Sequence, residues 1–371
     1  MIKVREISSK KDLKQFINLP WNIYRNDKLW VPQLKSDLKK KLNRSLNPFF
    51  EYGSIKCFGA FNKSGKILGR IASIINSKHS EIHKDNAGFF GLFECIDNKD
   101  VCRTLFNKVK EHLNGEGFKN IIGPVNFTMN DEAGLLLNGF NSPPMIMSNY
   151  CPQYYHSLLI ETGFKKEIDL LSFKGYTDNV FPEKYKRVVN KLLSNENITI
   201  HSFDPNKYDE QVTIMTYVYN ESFKDNYGFV PLSISESVFL TKQFLPIADN
   251  KLIWFVKVSN IPAGFILGLP NINEILRPLN GRVFNPSLIS FLYKKRKIQS
   301  YRVLVLCVLP KFRGMGLESI LIDQLTKRLY EKPYAVGEFS MVLENNTKMI
   351  RVLESIGLRV CKRYRVYKAI I

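Results

Sequence analysis

Val303-Leu304-Val305-Leu306-Cys307-Val308-Leu309-Pro310-Lys311-Phe312-Arg313-Gly314-Met315-Gly316-Leu317 runs from an unbroken apolar segment into a short basic turn carrying two glycines. Apolar residues then recur at helical spacing from Leu317 to Tyr330. The predicted order is strand, turn, helix. Peptide N–H groups at a helix N-terminus are unpaired and lie at the positive end of the helix dipole, so they attract phosphate. Gly314 and Gly316 let the backbone approach a ligand closely, and Arg313 adds a cation. The arrangement points to a pyrophosphate cradle. It is not a Walker loop, because no GxxxxGK[ST] is present, and no GxGxxG with a downstream acid marks a dinucleotide fold. An ordinary strand-to-helix turn with a surface arginine is the plain alternative, and the turn alone leaves both open.

The flanking sequence extends the pattern. After the helix come Pro333 and a predicted fifth strand, Glu338-Phe339-Ser340-Met341-Val342-Leu343. In the next segment Met349, Val352, Leu353 and Ile356 recur at helical spacing, with Asn345 or Asn346 as N-cap and Gly357 as the stop. Arg359 to Tyr367 reads as a closing strand. Upstream, Ile198 to Phe203 reads as a first strand, Tyr208 to Phe223 as a first helix, and Ile253 to Leu269 as a strand pair turning at Asn260.

The turn Arg313-Gly314-Met315-Gly316-Leu317-Glu318 resembles the coenzyme A loop of the GNAT N-acetyltransferases, whose pattern is Arg/Gln-x-x-Gly-x-Gly/Ala after the fourth strand. Glu318 stands where that family has Gly or Ala. The closing run of Asn, helix, Gly-Leu and strand is similar to the family's last motif. The resemblance implies acyl-CoA or acetyl-CoA as cosubstrate, held by Val308, Leu309, Arg313, Gly314, Met315, Gly316 and Leu317, with Asn346 as a further contact or simply a helix cap. It also implies a backbone N–H at Val308 or Leu309 facing the carbonyl oxygen of the transferred acyl group. The family often carries a tyrosine acid in the last helix; Leu353 stands there, and Leu159 in the other lobe.

The first half echoes the second. Leu159-Ile160-Glu161-Thr162-Gly163-Phe164-Lys165, then Leu171-Ser172-Phe173-Lys174, parallels Leu353 to Arg359, then Arg365-Val366-Tyr367-Lys368, at an offset of 194. Gly88 to Cys95 is the counterpart of the fourth strand and Val101 to Leu113 of its helix. Between them, Ile96-Asp97-Asn98-Lys99-Asp100 has no glycine and two acids, which makes it a poor phosphate site. The expected architecture is α/β (α+β mixed sheet): two tandem GNAT-like lobes, each a mixed, mostly antiparallel sheet flanked by helices. The expected boundaries are 1–175 for a degenerate lobe, 176–197 for a linker, and 198–371 for the lobe with the coenzyme A loop. The stretches Pro20 to Pro32, Asn47 to Phe50 and Gly123 to Pro144 are dense in Pro, Gly and Asn and read as ordered loops. With Gly69-Arg70-Ile71-Ala72 and Gly88-Phe89-Phe90-Gly91 they resemble the bacterial YghO-like family of tandem GNAT proteins, to which the bacterial ceramide synthases are related.

Composition sets bounds. The six cysteines show no CxxC and no ligand spacing with histidine, so reduced thiols and no metal site are expected. Met1 to Glu6 lacks the apolar core of a signal peptide, and Leu252 to Leu269 is broken by Lys257 and Asn260. A cytoplasmic protein is expected, with peripheral contact to an anionic inner membrane face as a further expectation. The net charge of +20 includes the runs Lys35 to Arg44, Lys294-Lys295-Arg296-Lys297 and Arg359 to Arg365. It suits coenzyme A phosphates, an anionic membrane or nucleic acid equally, and a solvated basic surface just as well. No nucleic-acid motif accompanies it, and the oligomeric state is not legible.

An amine attacking a thioester must lose a proton. Glu132, in the Asn/Gly-rich loop, is the first candidate base, Asp131 its neighbour, and Glu94, ending an apolar strand, a third whose pKa rises if buried. A capping or salt-bridging acid is the competing reading for each. Tyr227 is a candidate for lining the acceptor site, against a plain core aromatic. His79 and His83 share a helix face, and Cys307 reads as a packed thiol. The leading reading is a coenzyme A-dependent N-acyltransferase acting on an amine, with a lipid-like, sphingoid-base acceptor favoured. Acetylation of a small amine or peptide, aminoacyl transfer from tRNA, and a non-catalytic acyl-CoA-binding protein are the alternatives.

Overall fold

The structure, a computed structural model, describes residues 2–176, 181–282, 295–332 and 334–371. Pro333 and Lys294 lie outside the described residues. The chain forms a mixed α/β fold of sheet flanked by helices, divided into two compact units that are not contiguous in sequence. Unit 1 comprises 1–170, 276–282 and 362–371; unit 2 comprises 171–275 and 283–361.

In unit 1 the strands Lys3–Glu6, Gly53–Phe61, Ile67–Asn76 and Ala87–Cys95 pair antiparallel in that order. Asn120–Gly123 then joins in parallel, from Ala87↔Asn120 to Phe89↔Ile122. On its far side lies the end of the strand Arg359–Ile370, antiparallel, from Tyr367↔Gly123 to Ile370↔Asn120. Leu135–Asn138 pairs with that same strand. The sheet of this unit is therefore closed by residues 362–371, from the opposite end of the chain. Adjacent residues of one strand face opposite ways. A Cβ on Gly69 would meet Val101 and Leu105 of the helix Lys99–Gly115, whereas Arg70 reaches the Phe16 carbonyl of the helix Lys10–Ile23. These two helices cover opposite faces.

Unit 2 repeats the order. Ile198–Ser202, Ile253–Val258, Ile261–Pro270 and Ser300–Val308 are antiparallel, and Val336–Leu343 joins in parallel. Beside Val336–Leu343 runs the strand Lys165–Tyr176, of which residues 171–176 belong to this unit. Side-chain alternation sorts two cores. Phe255, Phe265 and Cys307 pack with Met215 and Val218 of the helix Tyr208–Phe223. Val256, Ile266 and Val308 pack with Leu317, Ile320, Leu321 and Leu325 of the helix Leu317–Glu331 on the other face. Those four recur at i, i+3, i+4 and i+8, which is what gives this helix its buried stripe.

Two pairs of elements differ by the same 194 positions: Ile67–Asn76 with Ile261–Pro270, and Lys165–Tyr176 with Arg359–Ile370. Both glycine stops, Gly163 and Gly357, take positive φ (88° and 89°). The turn at Asn260 is a two-residue hairpin, with Ser259 and Asn260 both at positive φ, the geometry that matches strand twist. Some expectations need correction. Pro20 to Ile23 is the last turn of the helix Lys10–Ile23, not loop, with the proline inside it. Asn47 caps a single 3₁₀ turn, Pro48–Glu51, and Gly123 to Asn138 contains short strands at Val125–Asn126, Glu132–Ala133 and Leu135–Asn138. The span 176–197 holds a helix, Glu183–Leu193, packed on Leu317–Glu331.

Candidate active site

Where the two parallel strands of unit 2 part, they open a gap. Their register ends at Val303↔Phe339, but Ser300–Val308 continues. A bulge at Leu304 lies there, because Gly268 faces Val303 while Leu267 faces Val305. A bulge bends its strand and increases its twist, which aims the strand away from its neighbour. Leu304, Val305 and Leu306 are only half-buried. Leu309 donates its N–H to the Ala263 carbonyl (2.8 Å), so this amide is spent, which corrects its candidacy as the acyl-oxygen donor. Gly264 lies opposite Val308. Alternation along an antiparallel ladder therefore turns the Val308 N–H to the other edge, the edge of the gap.

The turn after the strand is a single 3₁₀ turn, Pro310–Phe312, followed by Gly314 and Gly316 at φ 86° and 82°. Gly316 is the N-cap of Leu317–Glu331 and supplies no side-chain cap. Among the described residues the amides of Gly314, Gly316, Leu317 and Glu318 have no partner, while that of Ser319 bonds the Gly316 carbonyl. A Cβ on Gly314 would meet nothing, so that glycine is there for conformation; one on Gly316 would lie 3.2 Å from Val188 and 3.4 Å from Leu192. The Arg313 guanidinium is not free. It donates to the carbonyls of Ser222 (2.6 Å) and Val308 (3.3 Å), which ties the turn to the helix before it and to the strand end. Met315 is exposed, and Glu318 sits half-buried in the first helical turn, where the dipole favours an acid. Asn346 is the N-cap of Thr347–Ser355, its Oδ1 accepting from the Met349 N–H at 3.2 Å.

Unit 1 has the same elements, filled in. Its bulge lies where Arg70 faces Glu94 and Ala72 faces Gly91, and Leu92 adopts a φ of 48°. The amide of Leu92 donates to Asn126 Oδ1 (2.9 Å), and the Val125 carbonyl lies where a Cβ on Gly91 would go. The helix Lys99–Gly115 is capped by Asn98, whose side chain accepts from the amides of both Asp100 and Val101. In unit 1 the chain itself thus bonds the amides of Leu92, Asn98, Asp100 and Val101.

The carboxylates group in unit 1. Glu94 Oε2 accepts from the hydroxyls of Tyr24 (3.0 Å) and Tyr155 (2.8 Å), and Oε1 lies 3.8 Å from Arg70. Oε1 has no hydrogen bond among the described residues, and the side chain keeps 14% of its exposure. Burial raises the Glu94 pKa above its ordinary value, against the Arg70 charge and the two tyrosine hydrogen bonds. Glu132 lies in a different setting, half-buried, 3.3 Å from the Asn126 amide and 4.0 Å from Lys41. Asp131 accepts from the Phe127 amide at 2.8 Å and has its pKa raised by burial. Tyr227 belongs to unit 2, half-buried in the turn after Tyr208–Phe223. That turn is fixed by Asn220, which binds both the N–H and the carbonyl of Leu232 at 2.9 Å.

Sequence reasoning missed the partners. Tyr24 and Tyr155 lie 70 and 61 residues from Glu94, with no local signal. It also missed a buried network in unit 2, where Arg302 faces Glu338 across the parallel pair and donates to Ser340 Oγ (2.7 Å), which donates to Glu338 (3.2 Å). Its only sequence signal is two charges inside apolar strands. Cys307 is buried, and its thiol is pushed up to about 12 by burial, so it is a packing residue. The His79 and His83 rings stack at 4.3 Å, and His79 pairs with Asp85. Among the described residues no group of three or more His, Cys, Asp or Glu is placed to hold a metal ion.

Comparison with known proteins follows the same lines. Residues 297–366 match the FR47-like protein family model. A tandem GNAT protein from the clavulanic acid biosynthesis pathway superposes with a TM-score of 0.59 at 10% identity, covering 100% of this chain and 98% of that one. A GCN5-related N-acetyltransferase from Sphaerobacter thermophilus gives 0.55 at 12%, covering 100% and 95%. A splayed parallel pair, a glycine-bearing turn and a tandem repeat of that plan define a GNAT-type N-acyltransferase. Protein YghO of Escherichia coli (strain K12) is 30% identical over 98% of this chain and 94% of its own length. A bacterial ceramide synthase of Caulobacter vibrioides (strain NA1000 / CB15N) is 29% identical over 99% and 97%. The chain belongs to the YghO-like family of tandem GNAT proteins, which is related to the bacterial ceramide synthases.

Proposed function

We propose that this protein transfers an acyl group from a coenzyme A thioester to the amine of a lipid-like acceptor of the long-chain base class. One observation carries the cosubstrate half of this reading. Of two equivalent helix N-termini, that of unit 1 is capped by Asn98, while that of unit 2 presents the free amides of Gly314, Gly316, Leu317 and Glu318. Unpartnered N–H groups in the turn and at the positive end of the helix suit a diphosphate. Arg313 serves by anchoring this turn through two carbonyls, and its charge remains beside it. The Val308 N–H suits the carbonyl oxygen of the thioester, which gains negative charge as the amine attacks. The C–N bond forms as the C–S bond breaks, and the thiolate leaves without an acid, since Leu353 is fully buried where a tyrosine would stand. Among the candidate bases, Glu94 in unit 1 has Oε2 held by two tyrosines, Oε1 3.8 Å from Arg70, and a pKa raised by burial. The lipid acceptor rests on the ceramide synthase relative, which aligns along nearly the whole chain.

The test uses purified protein with acyl-CoA of short and long chain, offered a long-chain base or a small amine, with product read by mass spectrometry and free thiol by colour. Amide formed fastest from a long-chain base supports the proposal. Thiol release only with acetyl-CoA and a small amine would replace the acceptor, and no release with any pair would sink the transfer.

A further inference from the structure

The gap in unit 2 begins at a fixed rung, although its walls would favour closing it. Beyond the last rung, Val303↔Phe339, the strand Ser300–Val308 continues with Leu304, Val305 and Leu306, and Val336–Leu343 continues with Met341, Val342 and Leu343. All six are apolar and half-buried. Two parallel strands lined in this way gain by pairing further, since each added rung takes apolar surface and bare peptide groups out of water. The bulge at Leu304 is one obstacle. It reverses the alternation of its strand, because Val303 packs in the core of the helix Leu317–Glu331 while Val305, two positions on, packs against the core of the helix Tyr208–Phe223.

The bulge acts on one strand only. The other is held by buried polar side chains. Arg302 and Glu338 face each other one rung before the gap opens, and Ser340 is the first residue of its strand past the last rung. Arg302 Nε donates to Ser340 Oγ at 2.7 Å, and that hydroxyl donates to Glu338 Oε1 at 3.2 Å. The first bond runs diagonally across the end of the pairing, from the residue before the last rung on one strand to the residue after it on the other. Phe339 packs on the side of the helix Leu317–Glu331, so alternation turns Glu338 and Ser340 to the opposite face. Arg302, Glu338 and Ser340 are 4%, 2% and 5% exposed, and a hydrogen bond so deep is not diluted by solvent.

We propose that Arg302, Ser340 and Glu338 are positioning residues, a latch that fixes the rung at which the gap begins and so the place of the Val308 N–H opposite the thioester. The positioning role rests on the acyl-transfer reading; the latch itself rests on strand geometry alone. Pairing that advances by one rung closes about 3.3 Å of the gap. A misplacement of about 1 Å already costs roughly a hundredfold in rate. The turn at Gly314 and Gly316 lies past the end of the strand, so binding and turnover should separate.

The experiment compares Ser340→Ala, which breaks the diagonal bond, with Ser340→Thr, which keeps the hydroxyl. Hydrogen exchange read by mass spectrometry needs no substrate. In Ser340→Ala the segments 304–308 and 341–343 should exchange severalfold more slowly than in the parent as the strands pair further, while the helix Tyr208–Phe223 and the melting temperature stay unchanged. With acyl-CoA and an amine, kcat should fall about a hundredfold, and the calorimetric Kd of acyl-CoA should stay within twofold of the parent. Ser340→Thr should match the parent in all of these. Unchanged exchange in Ser340→Ala would overturn the latch. So would equal losses in the alanine and threonine variants at unchanged melting, because the hydroxyl would then not be their cause. Slowed exchange with kcat kept within twofold would overturn the positioning role. A parent that forms no amide with any pair sinks the acyl-transfer reading and the positioning role with it, and the exchange result still decides the latch.

Discussion

Replacing Gly316 with alanine tests the cosubstrate turn at its tightest point. Gly316 sits at φ 82°, in the left-handed region, where a Cβ costs about 1–2 kcal/mol. The new Cβ would also lie 3.2 Å from Val188 Cγ1 and 3.4 Å from Leu192 Cδ1, so the helix above must yield by a few tenths of an ångström or the turn must rotate. Rotation to negative φ swings the amides of Gly316 and Leu317 away from the common direction they share with Glu318. Each amide lost from a charged phosphate removes roughly 1.5–3 kcal/mol. The expected outcome, with the equivalent of one such amide lost, is an acyl-CoA Kd raised about ten- to a hundredfold, since about 1.4 kcal/mol is a factor of ten. Gly314→Ala is the control. Its φ is 86°, but its Cβ would meet nothing, so it carries the conformational cost without the contact and should lose less. Calorimetric titration with a long-chain acyl-CoA reads both. If both variants bind within twofold of the parent, these amides do not hold the diphosphate, and the reasoning from the uncapped helix fails.

Three further outcomes are expected. Glu94→Gln should remove a pH-dependent part of the stability of unit 1, read by melting across pH. Burial raises the Glu94 pKa, so its contribution to stability is full below the ordinary carboxylate value and is lost as pH rises through the raised one. Asp169→Asn should destabilise unit 1 by about 3 kcal/mol in urea titration, because it leaves Arg363 and Arg365 without the buried carboxylate they grip at 2.9 and 2.7 Å. Burial pushes the Asp169 carboxyl up, but the hydrogen bonds from Arg365 and Arg363 overrule it and hold it at about 2. Its stabilisation is present above the ordinary carboxylate pKa and is lost as pH falls toward about 2, a slope the asparagine variant should lack. Asn98→Ala should cost about 1 kcal/mol in melting and leave acyl-CoA stoichiometry at one per chain, whereas a second equivalent would refute the assignment of a single cosubstrate site.

What the sequence shows plainly is whatever its local chemistry determines. The strand into Arg313, the helix Tyr208–Phe223 and the hairpin at Ser259 and Asn260 all follow from periodicity and from residues that tolerate positive φ. The offset of 194 marks strands of equal length because both halves were built to one plan. What stayed hidden is pairing across distance. A strand with alternating apolar residues carries no mark of its neighbour, so nothing in Arg359 to Ile370 says that its second part will lie against Asn120–Gly123. Pro20 misled because a proline late in a helix reads locally as a stop, although the helix continues to Ile23. Glu94 was visible as an acid ending an apolar strand; the tyrosines that give it its chemistry come from other segments. Asn126 reads as a loop residue, and only its bond to Leu92 reveals that it stops a gap in unit 1.

The origin of the strand that closes unit 1 bears on how the chain is made. Asn120–Gly123 leaves the ribosome early, and its partner, residues 362–370, is translated more than two hundred positions later. At roughly 5–20 residues per second, that edge waits on the order of ten seconds or more. During that interval it offers bare N–H and C=O groups to any passing strand. The nascent protein is therefore a natural client for a holding chaperone. A gene fragment cut at the middle encodes two sheets that each lack a border.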